Sequence, residues 1–204
     1  MEIESFIGGS LATVVGVFAS ILATNKIEEI KAKSSSQKNR NMLYLELQDL
    51  ADECFDSLDT LYDLYAKAYA YDKTQNKKYL DSYRTPKSLN LMVLKDTLDK
   101  CFLELNKEQR KGLRTLMSLV TKIEANLVKL EGKTYEDHRN ISPNDARSLL
   151  STFGVVYQLA LALSNERERF SGIDKNSDEL LECTLKIKSF SMEYVDLVRH
   201  ANAV

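Results

Sequence analysis

The chain has 204 residues, with 28 basic and 30 acidic side chains, a net charge of −2 and only two histidines. That balance excludes a generally basic surface for DNA and gives no support to RNA binding. Two prolines, seven glycines and no tryptophan, set among abundant Leu, Lys, Glu and Asp, are the composition of an all-α protein.

The first expected helix covers about Glu4 to Lys33. From Ser5 to Asn25 no side chain is charged, and Glu4 and Lys26 bracket the run. As a helix those residues cover about 31 Å, close to the ~30 Å hydrocarbon thickness of a bilayer. Within the run Gly8, Ala12, Gly16, Ser20 and Thr24 recur at a four-residue spacing. A ridge of small residues lets helices approach closely in lipid, where packing drives association. Ser10, Thr13, Val17 and Ser20 form a second, hydroxyl-rich stripe, which in a ring of such helices would line a narrow polar pore. A plain anchor accounts for the same residues more simply, because Gly, Ser and Thr are common in membrane helices.

The acidic start, Glu2 and Glu4, does not fit a cleaved signal peptide. After the run, Lys26, Lys31, Lys33, Lys38 and Arg40 outnumber Glu28 and Glu29. The positive-inside rule then puts the N-terminus outside and the C-terminal domain in the cytoplasm, with a single pass through the membrane. The expected organisation is a membrane helix with its extension over 1–35 and a cytoplasmic bundle of about five helices over 36–204. Membrane lipid and further copies of the chain are the expected partners, with a protein partner as an open possibility. In the competing reading, the chain is soluble and the first helix is buried in a bundle or oligomer core.

Ser34-Ser35-Ser36 is expected to break the helix. A second helix follows over about Gln37–Ala70, with Leu43, Leu47, Leu50, Cys54, Leu58, Leu61 and Tyr65 as one buried stripe. Asp72–Pro86 reads as a loop. The third helix, about Ser88–Leu105, turns Leu91, Leu94, Leu98 and Phe102 inward. The fourth runs from near Asn106 to Glu131 on Leu113, Leu116, Val120, Ile123, Leu127 and Leu130, with Gly132 as its cap. Lys133–Ile141 is a polar loop. Ser142 and Pro143 then mark the start of a fifth helix that reaches Phe170 and closes at Gly172. Its uncharged stretch Ser148–Asn165 is read as the central bundle helix, with a second membrane span as the lesser alternative. A sixth helix, from Asn176 or Ser177 almost to the C-terminus, has Leu181, Leu185, Phe190, Met192, Val195 and Val198 among its apolar positions.

Charge is segregated between two of these helices. Seven acids and no base occur between Asn41 and Ala66, among them Asp52, Asp56 and Asp59. The fourth helix opens with Lys107, Arg110, Lys111 and Arg114. These faces are complementary and can meet within a protomer, meet between protomers, or both remain solvated, the last being the simplest. The acids have no His or Cys at ligand spacing, so they do not specify a metal. Cys54, Cys101 and Cys183 are widely spaced and read as free, mostly buried thiols. His138 and His200 read as solvated, and no nucleotide-binding, metalloprotease or triad motif is present. The chain is therefore not expected to be an enzyme, nor to use a cofactor or metal.

One N-terminal membrane helix leading into an all-helical domain of about 170 residues resembles the small bacterial membrane accessory proteins of type VI-B CRISPR systems. The resemblance is one of architecture and size. It implies a HEPN-like helical domain, a bacterial inner-membrane location, and assembly into a pore that strengthens antiphage defence. The HEPN nuclease pair is an arginine and a histidine with four to six residues between them. Before His138 the corresponding positions hold Glu131, Gly132 and Lys133; before His200 they hold Glu193, Tyr194 and Val195. No RNase pair is present, so the resemblance transfers no catalytic residue. A membrane-tethered adaptor that binds a protein partner is the alternative function.

Overall fold

The computed structural model describes residues 2–80, 84–89, 91–131 and 141–203, with the backbone alone for 2–22, 80, 92 and 131. Among these residues the chain is all-helical and contains no strand. The α-helices are α1 (Glu2–Thr74), α2 (Met92–Cys101), α3 (Lys107–Glu131), α4 (Pro143–Glu166), α5 (Ser177–Ile187) and α6 (Tyr194–Ala203). Short 3₁₀ turns occupy Lys77–Leu80, Phe102–Glu104 and Arg167–Arg169. The chain forms two compact units, Met1–Met42 and Leu43–Val204.

The expected break at Ser34–Ser36 does not occur, because α1 is helical throughout. Three serines cost roughly 0.5 kcal/mol each against alanine, which neither glycine nor proline aggravates here. Adding a residue to an existing helix is far easier than nucleating a new one, so a shallow propensity dip is bridged. Lys33 also donates to Glu29 one turn back at 2.6 Å. The helix ends four residues beyond the expected Ala70, where Gln75 adopts φ 57° and its N–H returns to the Tyr71 carbonyl at 2.7 Å.

In the unit Leu43–Val204, the stripe from Leu43 to Tyr65 is buried in full. All six apolar positions expected on the fourth helix, Leu113 to Leu130, are buried on α3. Asn106 and Gln109 start α3 by exchanging side chain-to-backbone bonds of 2.8 and 2.9 Å, the reciprocal cap that satisfies orphan N–H groups. Gly132 and the loop 133–140 lie outside the described residues. Ser142 accepts from the Asp145 N–H at 3.0 Å with Pro143 in the first turn, so α4 starts as expected. It stops earlier than expected, at Glu166, because Arg167 takes φ 51°. Gly172, at φ +108°, lies in the following loop rather than closing the helix.

α4 packs between α3 and α5. Among the residues described with their side chains, Pro143–Arg169 is long and apolar enough to cross a membrane. More than half of its most apolar window is buried against the bundle, as suits a core helix.

The single C-terminal helix expected from Asn176 onward is two helices. A reciprocal cap between Asn176 and Glu179 opens α5. Ser189 then turns to φ 57°, and the Phe190 N–H bonds back to Leu185 at 2.9 Å. The turn presses Phe190 flat on Tyr62 of α1, with ring centroids 4.1 Å apart. That contact opposes the roughly 1–2 kcal/mol left-handed cost at Ser189. The change of direction leaves Val195 exposed and buries Leu197 completely.

Candidate functional site

Two of the candidate features fall on the N-terminal helix. The backbone over 5–25 is helical, as the membrane reading requires. The side chains of Gly8, Ala12, Gly16 and Ser20, and of the stripe Ser10, Thr13 and Val17, lie outside the described residues. Thr24, Ile27 and Ile30 are exposed.

The opposed charges are both on the unit Leu43–Val204, and they do not meet within it. Asp52 and Asp56 are exposed, and Asp59 pairs with Lys188 at 2.7 Å. On the other side Lys107, Lys111 and Arg114 are exposed. Arg110 turns back on its own chain and donates to the Leu105 carbonyl at 2.8 Å. Arg114 lies over the Phe102 ring, 5.4 Å from its centroid. Among the described residues no ion pair joins the acidic set to the basic one. The acidic strip is electrostatically loaded. Burial first, and then the neighbouring Asp49 and Glu53 charges, push the Glu46 carboxyl above the usual range.

Opposite α6, α1 builds a polar cluster that the sequence did not disclose. Asp63 and Lys67 lie one turn apart on α1, with Tyr62 beside Asp63 in the chain. Lys67 is 3% exposed, and its ammonium sits 2.9 Å from Asp63 Oδ2. From α6, His200 brings Nε2 to 3.7 Å from Asp63 Oδ1, and both atoms are buried without a hydrogen-bond partner among the described residues. His200 also stands edge-on to the Tyr62 ring at 4.8 Å, and the Tyr62 hydroxyl donates to the Ser191 carbonyl at 2.5 Å. Two residues after His200, Asn202 accepts at Oδ1 from both Lys78 and Tyr79, at 2.7 and 3.1 Å. His200 is thus half-buried in a helix, not solvated at a frayed end; His138 lies outside the described residues.

A histidine beside a carboxylate can relay a proton, but a catalytic dyad must also open on a substrate cleft. The 740 Å³ cleft is elsewhere, between Glu53, Asp56, Ser57 and Thr60 of α1 and the segment Arg84–Leu89. The cluster instead clamps the C-terminal helix onto α1. Sequence spacing signals only the local Asp63–Lys67 pair, because the Asp63–His200 and Tyr62–Ser191 pairings span more than half the chain.

Cys54, Cys101 and Cys183 form no disulfide. Cys54 and Cys101 are buried, and burial pushes the Cys54 thiol up, well out of the reactive range. Cys183 is partly exposed, with Lys175 Nζ 3.2 Å from its sulfur. Among the described residues no group of three His, Cys, Asp or Glu side chains is placed to hold a metal ion. Comparison of the chain with family models, with curated proteins and with solved structures gives no match.

Proposed function

We propose that this chain is a membrane-anchored helical protein that self-associates through its N-terminal helix and alters membrane permeability. In this reading the run Ser5–Asn25 crosses a bacterial inner membrane once, with the N-terminus outside and the unit Leu43–Val204 in the cytoplasm. The resemblance to type VI-B accessory proteins, and with it a HEPN-like bundle and a role in antiphage defence, extends the same proposal.

One observation carries the reading. A charge-free run of bilayer length, with small residues at every fourth position, lies on backbone that is helical from Glu2 onward.

The test is the mass of the detergent-extracted chain by light scattering, paired with dye leakage from liposomes. The wild type is expected to form a discrete oligomer and to release dye. Replacing Gly8, Ala12 and Gly16 with leucine is expected to abolish both by blocking close helix approach. Unchanged assembly and leakage in that variant would overturn the proposal, as would a wild type that stays monomeric without detergent. Assembly with no leakage would replace the permeability claim with a tethered adaptor.

A further inference from the structure

The exposed acids of α1 and the exposed bases of α3 do not pair with each other within the described bundle, so both rows are open to a partner. We infer that each bundle docks head-to-tail on a second copy of this chain, with the acidic row of α1 against the basic row of α3. This rests on the self-association proposed above and names the surface that orients it.

The geometry of the two rows carries the argument. Asp49, Asp52 and Asp56 follow one another at steps of three and four, and all three are exposed. At about 100° per residue they occupy roughly 60° of the α1 circumference. Lys107, Lys111 and Arg114 follow at steps of four and three, also exposed and within roughly 60° on α3. Each row rises about 10 Å. The step orders are mirror images, so antiparallel docking places Asp56 against Lys107, Asp52 against Lys111 and Asp49 against Arg114 in register. Lys122 and Lys129 continue the basic stripe on the same side of α3, and both are exposed.

Apolar side chains accompany both rows. Leu45 projects from the acidic face at 64% exposure, and Leu103, just before α3, is 89% exposed. Arg84 and Lys87 border the cleft beside Glu53 and Asp56, on the flank away from Asp52. A second copy suits these rows better than an anionic surface does. A phosphate-bearing partner would satisfy α3 alone and would be repelled by α1, whereas copies of this chain answer both faces, one neighbour on each. Head-to-tail docking uses the acidic row toward one neighbour and the basic row toward another, so repetition produces a ring or a filament rather than a closed pair. Exposed pairs hold weakly, so this contact sets orientation and register while the first helix supplies the local concentration.

The test uses the full chain in detergent at low salt. One variant carries Asp52→Lys and Asp56→Lys, another carries Lys107→Glu and Lys111→Glu, and a third carries all four. Light scattering reads assembly, and circular dichroism verifies that helix content matches the wild type. Each charge-reversed pair is expected to raise the concentration for half-assembly about tenfold, and the fourfold variant to restore it. High salt is expected to mimic the paired reversals. Equal assembly by all four proteins would overturn the docking, and so would failure of the fourfold variant to recover. Loss of binding to anionic vesicles by the Lys107→Glu/Lys111→Glu variant, with its mass unchanged, would overturn it in favour of a lipid contact. If the charge variants assemble normally while the Gly8, Ala12 and Gly16 leucine variant does not, the docking fails and the membrane-anchored reading stands.

Discussion

Removing the Asp63 carboxylate is the sharpest perturbation this bundle offers. Lys67 and Asp63 are a turn apart on α1, 2.9 Å from each other, with side chains 4% and 11% exposed. Asp63→Ala removes the counter-charge from an ammonium that water barely reaches. Breaking a buried pair by deleting one member costs about 3–5 kcal/mol, chiefly because the remaining charge stays desolvated. Alanine returns about 0.5 kcal/mol of helix propensity, leaving a net loss of about 3 kcal/mol. For a unit of this size that corresponds to a fall in melting temperature of roughly 6–12 °C. Replacing both residues with apolar ones of similar volume, Asp63→Leu with Lys67→Met, removes the desolvation cost along with the pair. It is expected to be neutral or stabilising. Thermal unfolding of the full chain in detergent, followed by circular dichroism, measures both variants. A shift under about 2 °C for Asp63→Ala, or a double variant as damaged as the single one, would refute the reasoning. Either result would mean that water reaches the pair and screens it.

Three other outcomes follow from the structure. Of the three thiols, Cys183 alone is expected to react with a maleimide in the folded protein; Cys54 and Cys101 are buried and should react only after denaturation, as mass spectrometry with and without urea would show. Glu46 has its carboxyl raised above 4.5 in the folded state, so the folded state holds its proton to higher pH than the unfolded chain does. Its contribution to stability therefore falls as pH rises through the window from about 4.5 to the raised value. Glu46→Gln is expected to flatten that part of the melting-temperature profile and to stabilise the protein at neutral pH; an unchanged profile would contradict this. Ser142→Ala removes the N-cap of α4 and is expected to cost about 1 kcal/mol in urea unfolding, with Ser142→Gly costing less.

Sequence and tertiary structure divide the explanation along physical lines. The buried stripes from Leu43 to Tyr65 and from Leu113 to Leu130 were legible because a helix face is a matter of spacing. The start of α4 was legible because Ser142 and Pro143 act within one turn. Propensity misled at Ser34–Ser36, where cooperativity carries α1 through a weak local signal. It misled again near Ser189, where the Phe190–Tyr62 stack accompanies a break that no local residue announces. The acidic and basic segments could be read from the chain, yet only the folded bundle decided that they do not face each other inside it. In the clamp, the Asp63–Lys67 pair follows from its four-residue spacing on one helix, whereas its junction with His200 belongs to the tertiary structure. The clamp's members are ordinary surface residue types, and at that junction folding brings together groups whose separation along the chain no periodicity encodes.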